Sequence, residues 1–407
     1  MPDAVGIVLG LGSASVPTVL AAAARKVTPV FVLDRQLPGA EDQMQQLPPR
    51  ALLADITGQS DKQAGNTLAG FSLKGITTFS EYALPRASAL ACALGLPGHD
   101  AGTVKALTEK TVQREALSAA GVHACRFEHL PAGSCGVPPG MVFPAVLKPV
   151  VGAGSVHTLL VRDETEFRYA LAQAPQGIDF IVEEFFQGDP AVAGADFGDY
   201  VSVESLHCDG QSQQICVTGK LPLTPSFRET GMFLPCSLPQ PVLAEVRALE
   251  AQAVAALGVR HGITHTEIKL TSSGPKIIEV NGRLGGYVPE ILKRASDVNL
   301  VQLALLLAVG KLPSVAEPGF EGVTYQVFLT PPDRAAGRIG RIGGIDSISE
   351  IEGVRQVEVR AQPGDLLSAE DGTQGLLGVV YGQAADSGSF AAAAKQINDL
   401  LHMEIST

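Results

Sequence analysis

The sequence predicts an α/β protein, α+β in part, with an N-terminal open parallel sheet, antiparallel units after it and a C-terminal β-rich module. Three observations carry this prediction. The first hundred residues alternate short apolar runs with segments of helical period, the pattern of a parallel sheet with crossover helices. From Pro144 onward, short runs alternate with period two, as half-buried antiparallel strands do. The 44 glycines and 27 prolines are scattered rather than gathered into one tract, so they punctuate many short elements. With 45% hydrophobic and 18% charged residues the chain can bury a sizeable core, and 407 residues suit two or three domains.

Taken in order, Val5–Leu11 reads as a first buried strand, Val16–Lys26 as a helix and Pro29–Leu33 as a second strand. Ala51–Ala54 and Gly75–Thr78 are further strands, and Tyr82–Leu94 is a helix. Apolar residues at helical spacing, closed by Gly121, predict one helix over Thr103–Ala120. Ala145–Lys148, Thr158–Arg162 and Phe180–Phe186 read as short strands. Val201–Cys208 and Gln214–Thr218 form an antiparallel pair, and Ala244–Leu257 an amphipathic helix. From about Gly322 the chain reads as a separate β-rich unit closed by a helix at Phe390–Leu401.

Composition excludes several function classes. The apolar run Leu300–Val309 is too short to span a bilayer, and the N-terminus lacks the pattern of a signal peptide. Six cysteines without a CxxC pair argue against a zinc site or a disulfide framework and fit a reducing cytoplasm. A formal charge of −12 opposes a sequence-independent hold on nucleic acid.

The most informative segment runs from His265 to Arg283. Two period-two arms flank the turn residues Ser272-Ser273-Gly274-Pro275. Ile268 and Leu270 share one face with Ile278 and Val280, while His265, Glu267, Glu279 and Asn281 share the other. A loop centred on Ser273 puts Glu267 directly across from Glu279. Like charges so placed destabilise a sheet by roughly 0.2–1 kcal/mol, so the pair calls for a cation between them. Two carboxylates and the Asn281 amide are oxygen ligands suited to magnesium completed by water and phosphates. An ordinary exposed face explains either glutamate alone, but not the pair with Asn281 and Arg283 following.

Upstream, the buried strand Pro144–Pro149 ends in Lys148 and runs into Gly152, Gly154 and Ser155. Glycines let backbone N–H groups approach an anion, and a lysine adds a point charge. The lysine precedes the glycines, so this is not the GxxxxGK[ST] loop. The strand Phe180–Phe186, with Glu183, Glu184 and Phe185, has a backbone edge that can pair with an adenine and aromatic rings to bury it. Near the N-terminus, Gly10-Leu11-Gly12-Ser13-Ala14-Ser15 with Asp34 resembles a dinucleotide fingerprint, but Ser15 stands at the third glycine.

Lys110, the LKPVVGAGS stretch, VEEF followed by glycine, and TEIKL with IIEVNGRLGG occur in the order and spacing of ATP-grasp ligases. The similarity covers roughly residues 100–310. The tail, with Gly343-Gly344 and Gly378-Val379-Val380, is similar to the C-terminal module of biotin carboxylase and L-amino acid ligases. Val201–Ser205, Thr218-Gly219-Lys220 and Phe227–Gly231 resemble the L-amino acid ligase (dipeptide synthetase) branch. The resemblance implies an ATP-grasp fold divided as 1–100 (α/β domain), 101–185 (lid with its linker helix), 186–322 (large subdomain with the metal hairpin) and 323–407 (β-rich module on the core).

The resemblance further implies that Lys110 and Lys148 hold the ATP phosphates and that Gly152, Gly154 and Ser155 form a flap over them. Glu183, Glu184 and Phe185 would meet adenine. Glu267, Glu279 and Asn281 would bind magnesium, two ions with manganese as a substitute, and Arg283 would act with Lys148 in catalysis. Glu204, Glu229, Arg283 and Gly286 would lie near the substrates, with Glu229 at the amino group of the first amino acid. Met232 departs from the branch, which has histidine there. The segment between Asp189 and Tyr200 is longer than usual, so the ribose carboxylate stays unassigned.

The implied reaction joins a carboxylate to an amine, both small molecules and most naturally amino acids, through an acyl phosphate. No nucleic-acid or membrane partner is expected, and a homodimer is expected by analogy. A carboxylase or purine-pathway ligase on the same fold, a dinucleotide-dependent oxidoreductase and a silent nucleotide binder remain as alternatives.

Overall fold

The computed structural model describes residues 2–122, 125–368 and 370–406. The first unit is β1 (Asp3–Val8), α1 (Val16–Ala23), β2 (Val27–Leu33), α2 (Ala40–Gln45), β3 (Leu52–Asp55), α3 (Asp61–Ala69), β4 (Gly75–Thr78) and α4 (Leu84–Ala93). Its strands form a parallel sheet in the order β3-β2-β1-β4. Ser15 caps α1 through the Thr18 amide, and a reciprocal Ser60/Gln63 capping box starts α3.

The expected single helix over 103–120 is two, α5 (Ala101–Thr108) and α6 (Lys110–Ala119). Glu109 adopts an extended conformation (φ −110°, ψ 110°) between them, and the Lys110 amide turns to the Val150 carbonyl at 3.0 Å. Periodicity survives such a break because the two helices bury similar faces.

A small antiparallel sheet follows, made of β5 (Phe127–Leu130), β6 (Ala145–Pro149), β7 (Leu159–Val161) and β8 (Phe180–Glu184), with α7 (Glu164–Gln173) across it. Its order is β5-β8-β6-β7. The backbone edge expected to be available on Phe180–Phe186 is therefore taken on both sides over Phe180–Glu184.

After α8 (Pro190–Ala193) come β9 (Tyr200–Cys208), β10 (Gln211–Lys220), β11 (Gly231–Leu234), α9 (Gln240–Ala256), β12 (Gly262–Thr271), β13 (Gly274–Asn281), α10 (Val288–Ala295) and α11 (Leu300–Ala308). The chain ends with β14 (Val323–Leu329), β15 (Gly337–Gly343), α12 (Ile345–Ser349), β16 (Val354–Val359), β17 (Leu366–Leu367), a 3₁₀ turn at Gly372–Gly375, β18 (Gly378–Ala384), α13 (Ser387–Leu400) and β19 (His402–Ser406). An eight-stranded sheet runs β13-β12-β9-β10-β11-β14-β18-β16. The tail is thus not separate: three of its strands extend the central sheet, and β17-β15-β19 make a small sheet beside it.

The largest core lies between the parallel sheet and the central sheet, with α10 and α11 inside it. Helix α11 buries residues all round, as a helix enclosed by two layers must. It touches β4 so closely that a Cβ at Gly75 would lie 1.8 Å from the Ala308 carbonyl oxygen. Among the described residues no helix is long and apolar enough to cross a membrane.

Candidate active site

The functional face of the central sheet is set by residue parity along its strands. Glu204 on β9 pairs with His265 on β12, which pairs with Asn281 on β13, and Glu267 pairs with Glu279. The carboxylates therefore face each other as expected, but by a different route. The turn is the two residues Ser272-Ser273, with Thr271 opposite Gly274. That register alone would misalign the glutamates by one residue. A β-bulge at Ile278 restores them, because Ile268 pairs with Ile277 while Glu267 pairs with Glu279. The bulge also corrects the apolar face: Ile277 is fully buried, and Ile278 lines the cleft instead.

Helix α6 grips this hairpin with one face. Lys110, Gln113 and Arg114, at i, i+3 and i+4, are all buried. Lys110 Nζ lies 2.9 Å from Glu279 Oε1 and donates to the Gly152 carbonyl at 2.9 Å. The Gln113 amide exchanges hydrogen bonds with the Val280 backbone, donating at 2.8 Å and accepting at 2.9 Å, so it serves as one residue of a further strand on the edge of β13. Arg114 Nη2 donates to the Ile278 carbonyl at 2.5 Å. Its guanidinium also makes a two-pronged contact with Glu183 at 2.9 and 3.2 Å.

Glu183 ties the small sheet to the same point, since Lys148 Nζ lies 2.5 Å from its Oε1. Burial would raise this carboxyl, but Arg114 and Lys148 outweigh burial and hold it at about 2. The side chain is buried between two cations, so its carboxylate is engaged by Arg114 and Lys148 rather than left for the adenine contact expected of it. Glu184, Phe185 and Phe186 line the cleft, and the Phe185 ring lies 6.5 Å from that of Phe227.

The cleft between the two sheets is open to solvent. It gathers Lys110, Lys148, Gly152, Gly154, Ser155, Glu183, Glu184, Phe185, Glu229, Glu267, Glu279, Asn281 and Arg283, thirteen of the fifteen residues singled out from sequence. Glu204 and Gly286 do not line it. Glu204 is fully buried beneath the floor, 2.5 Å from His265 Nδ1, so its expected contact with substrate is replaced by support of that histidine. Burial alone would lower His265, yet Glu204 and Glu267 together raise it to about 9. His265 Nε2 in turn lies 3.3 Å from Glu267, whose carboxyl is held at about 2 against the opposing effect of burial.

Sequence reasoning missed Glu81. It projects from the loop after β4, 3.0 Å from Arg283 Nε, and burial pushes its carboxyl above the ordinary range despite that guanidinium. Arg283 Nη2 also donates to Asn281 Oδ1 at 3.1 Å. Lys220 lies in the stretch Thr218-Gly219-Lys220, whose resemblance gives the lysine no role of its own. It is 1% exposed and lies 2.6 Å from Glu229 Oε1. Lys269 lines the cleft beside Phe185 and pairs with Asp199 at 2.6 Å. No local signal separates these residues from ordinary strand and loop positions. Met232 is fully buried opposite Gln326, part of the core between the sheets.

The hairpin offers oxygen donors of the kind a hard cation takes, two facing carboxylates and an amide. Among the described residues no group of three His, Cys, Asp or Glu side chains is gathered for a metal. The glycine loop after β1 is differently employed. Its amides at Gly10, Leu11 and Ser13 donate to Gln43 Oε1, Pro38 O and Phe79 O, and a Cβ at Gly12 would lie 2.0 Å from the Phe79 oxygen. Those amides serve the fold and are turned away from any pyrophosphate, which removes the basis of the oxidoreductase reading.

Residues 141–290 match the ATP-grasp domain family, and 327–406 match L-amino acid ligase C-terminal domain 2. An uncharacterised protein of Sinorhizobium fredii, y4rH, is 28% identical over 72% of this chain and 60% of its own length. The alanine–anticapsin ligase of Bacillus subtilis is 28% identical over 59% of this chain and 55% of its own. The chain thus spans a little over half the length of these curated relatives. The crystal structure of L-amino acid ligase from Bacillus licheniformis superposes with a TM-score of 0.79 at 21% identity, covering 100% of this chain and 99% of that one. The chain carries an ATP-grasp domain followed by the C-terminal domain of L-amino acid ligases.

Proposed function

We propose that this protein is an ATP-dependent carboxylate–amine ligase that joins two amino acids, or an amino acid and a related amine, through an acyl phosphate. The observation that carries the reading is the convergence on one cleft of two buried lysines, a glycine-rich loop, and a hairpin bearing two facing carboxylates, an amide and an arginine. ATP-grasp proteins use ATP and a divalent metal, and the C-terminal match favours an amino-acid ligase over a carboxylase or a purine-pathway enzyme.

In this reading Phe185 and Phe186 bury the adenine, and Lys110 and Lys148 meet the phosphates under the loop Gly152–Ser155. Glu267, Glu279 and Asn281 would hold magnesium, two ions as in the resemblance, with manganese able to replace it. The metal, when bound, supplies charge neutralisation at the phosphate oxygens. Lys110 leaves Glu279 for a phosphate as ligands enter, which frees the carboxylate as a ligand.

A substrate carboxylate oxygen attacks the γ-phosphorus and ADP departs. Arg283, held by Glu81 and Asn281, steadies the charge on the transferred group. The amine nitrogen then attacks the acyl carbon, the carbon–oxygen bond to phosphate breaks, and the nitrogen loses a proton. Glu229, which lines the cleft with Lys220 buried behind it, would meet the charged amino group of an amino acid. Closure of the loop keeps water from the acyl phosphate.

The test supplies ATP, magnesium and a pool of L-amino acids, with hydroxylamine as a general amine. The expected result is hydroxamate with ADP and phosphate in equal amounts, lost in Glu279→Ala. ADP binding without hydroxamate from any amino acid would sink the ligase assignment and leave the fold standing.

A further inference from the structure

The C-terminal module reaches into the cleft at one place. The turn Gly372–Gly375 lies between the phosphate-covering loop and the segment Thr224–Gly231 that carries Glu229. Thr373 is 9% exposed and lines the cleft. Its amide donates to the Gly154 carbonyl at 3.0 Å, and its Oγ1 accepts from the Glu229 amide at 3.2 Å. One residue therefore bonds both walls, through different atoms.

The contact is built tightly. Gly372 has φ +55°, and a Cβ there would lie 2.2 Å from the Gly154 oxygen and 3.0 Å from the Val156 nitrogen. Ser155 and His157 in the covering loop hold φ values of 59° and 54°, conformations that L residues keep only when their surroundings impose them. A second bond from the same module, Arg228 Nη2 to the Ser368 carbonyl at 3.0 Å, fixes the other side of the Glu229 segment. Glu229 in turn holds Lys220.

We propose that Thr373 is a positioning residue that couples the loop over the phosphates to the Glu229–Lys220 pair, so that the reaction chamber closes on both substrates as one unit. This inference rests on the ligase reading for its consequence. Uncoupled walls admit water, which attacks the acyl carbon, breaks the carbon–oxygen bond to phosphate and returns the free carboxylate with the ATP spent.

The first test needs no substrate. Hydrogen exchange of the free protein is read on amides 152–157 and 229–231 in wild type, Thr373→Ser and Thr373→Val. Valine keeps the branched shape and the backbone donor and removes only the hydroxyl. The expected result is exchange faster by about fivefold in both segments, the effect of one lost buried hydrogen bond, with serine close to wild type. Faster exchange confined to 229–231, or in neither segment, overturns the coupling. Should Thr373→Val fail to fold, Gly372→Ala asks the same question from the other wall: disturbance at 152–157 should spread to 229–231, and its confinement to 152–157 overturns the inference.

The second test is the ratio of ADP to hydroxamate. It should be near one in wild type and rise about fivefold in Thr373→Val with little change in the KM for ATP. An unchanged ratio overturns the inference. A wild type that makes no hydroxamate counts against the ligase reading alone, because the exchange result stands apart from it.

Discussion

At the scale of single residues, the site is a set of carboxylates each assigned its own cation. Glu279 has Lys110, Glu267 has His265, Glu183 has Arg114 and Lys148, Glu229 has Lys220 and Glu81 has Arg283. Replacing Arg283 by lysine keeps the charge and removes the planar fork that reaches both Glu81 and Asn281. Ligase turnover should fall by 10²-fold or about that, with the KM for ATP little changed; a large rise in that KM with normal kcat would place Arg283 in nucleotide binding instead. A second prediction concerns His207, a buried neutral histidine bonded to Ser212 and Thr264 at 2.8 Å each. Burial lowers it to about 4 from 6.5. Below pH 6.5 the unfolded chain gains a proton there that the folded chain refuses, so stability falls between pH 6.5 and 4, by up to about 3 kcal/mol, and levels off below. Chemical denaturation across that interval checks it, and His207→Gln should flatten the slope. Sequence made the paired hairpin carboxylates legible because period-two alternation fixes which side chains share a face. Glu81 and Thr373 were not legible, since the first reaches Arg283 and the second the cleft from a loop or turn more than 80 residues away from the hairpin in sequence, and neither carries a pattern of its own.

At the scale of elements, the hairpin and α6 work as one piece. The expected pairing of Glu267 with Glu279 was correct while the turn assumed for it was not, because turn chemistry gives the loop residues and says nothing of a bulge at Ile278, five positions beyond Ser273. The bulge at Ile278 is what Arg114 reads, through the Ile278 carbonyl. Arg114→Met removes that bond and leaves Glu183 buried with Lys148 alone. A broken buried pair costs about 3–5 kcal/mol, so the melting temperature should drop by several degrees. Adding Glu183→Gln in the same chain should deepen the loss, because Lys148 is then a buried cation with no carboxylate beside it. A double variant as stable as Arg114→Met would mean that the Glu183–Lys148 pair carries no stability of its own and that the loss in the single variant comes from the carbonyl bond at the bulge. The expected single helix over 103–120 failed for a related reason: Glu109 is extended where the Lys110 amide turns to the Val150 carbonyl, and no local propensity records that distant partner.

At the scale of the whole molecule, the tail that reads as a unit of its own in sequence completes the central sheet in three dimensions. Strand β14 pairs with β11 through Gly231–Leu234, and β18 and β16 continue outward from it. Phe233 of β11 packs against Phe390 of α13 at a ring separation of 5.0 Å, and Tyr325 stacks on Phe390 at 4.9 Å. The core around these rings takes residues from β11, β14, β15, β18 and α13 together. Composition cannot reveal this, because alternating strands read alike whether they begin a new sheet or extend an old one. A chain ending at Gly322 would leave β11 as a sheet edge and expose Phe233, which packs against Phe390 of the tail. It should therefore be recovered mainly as aggregate, while the full chain unfolds in calorimetry without an early transition belonging to the tail. A truncated chain that stays monodisperse and binds ATP normally would show that the module is an addition to a self-sufficient core. The hydrogen bonds that Glu229 and Arg228 donate to Thr373 and Ser368 argue the opposite, since removing the module removes one wall of the chamber as well as part of the sheet.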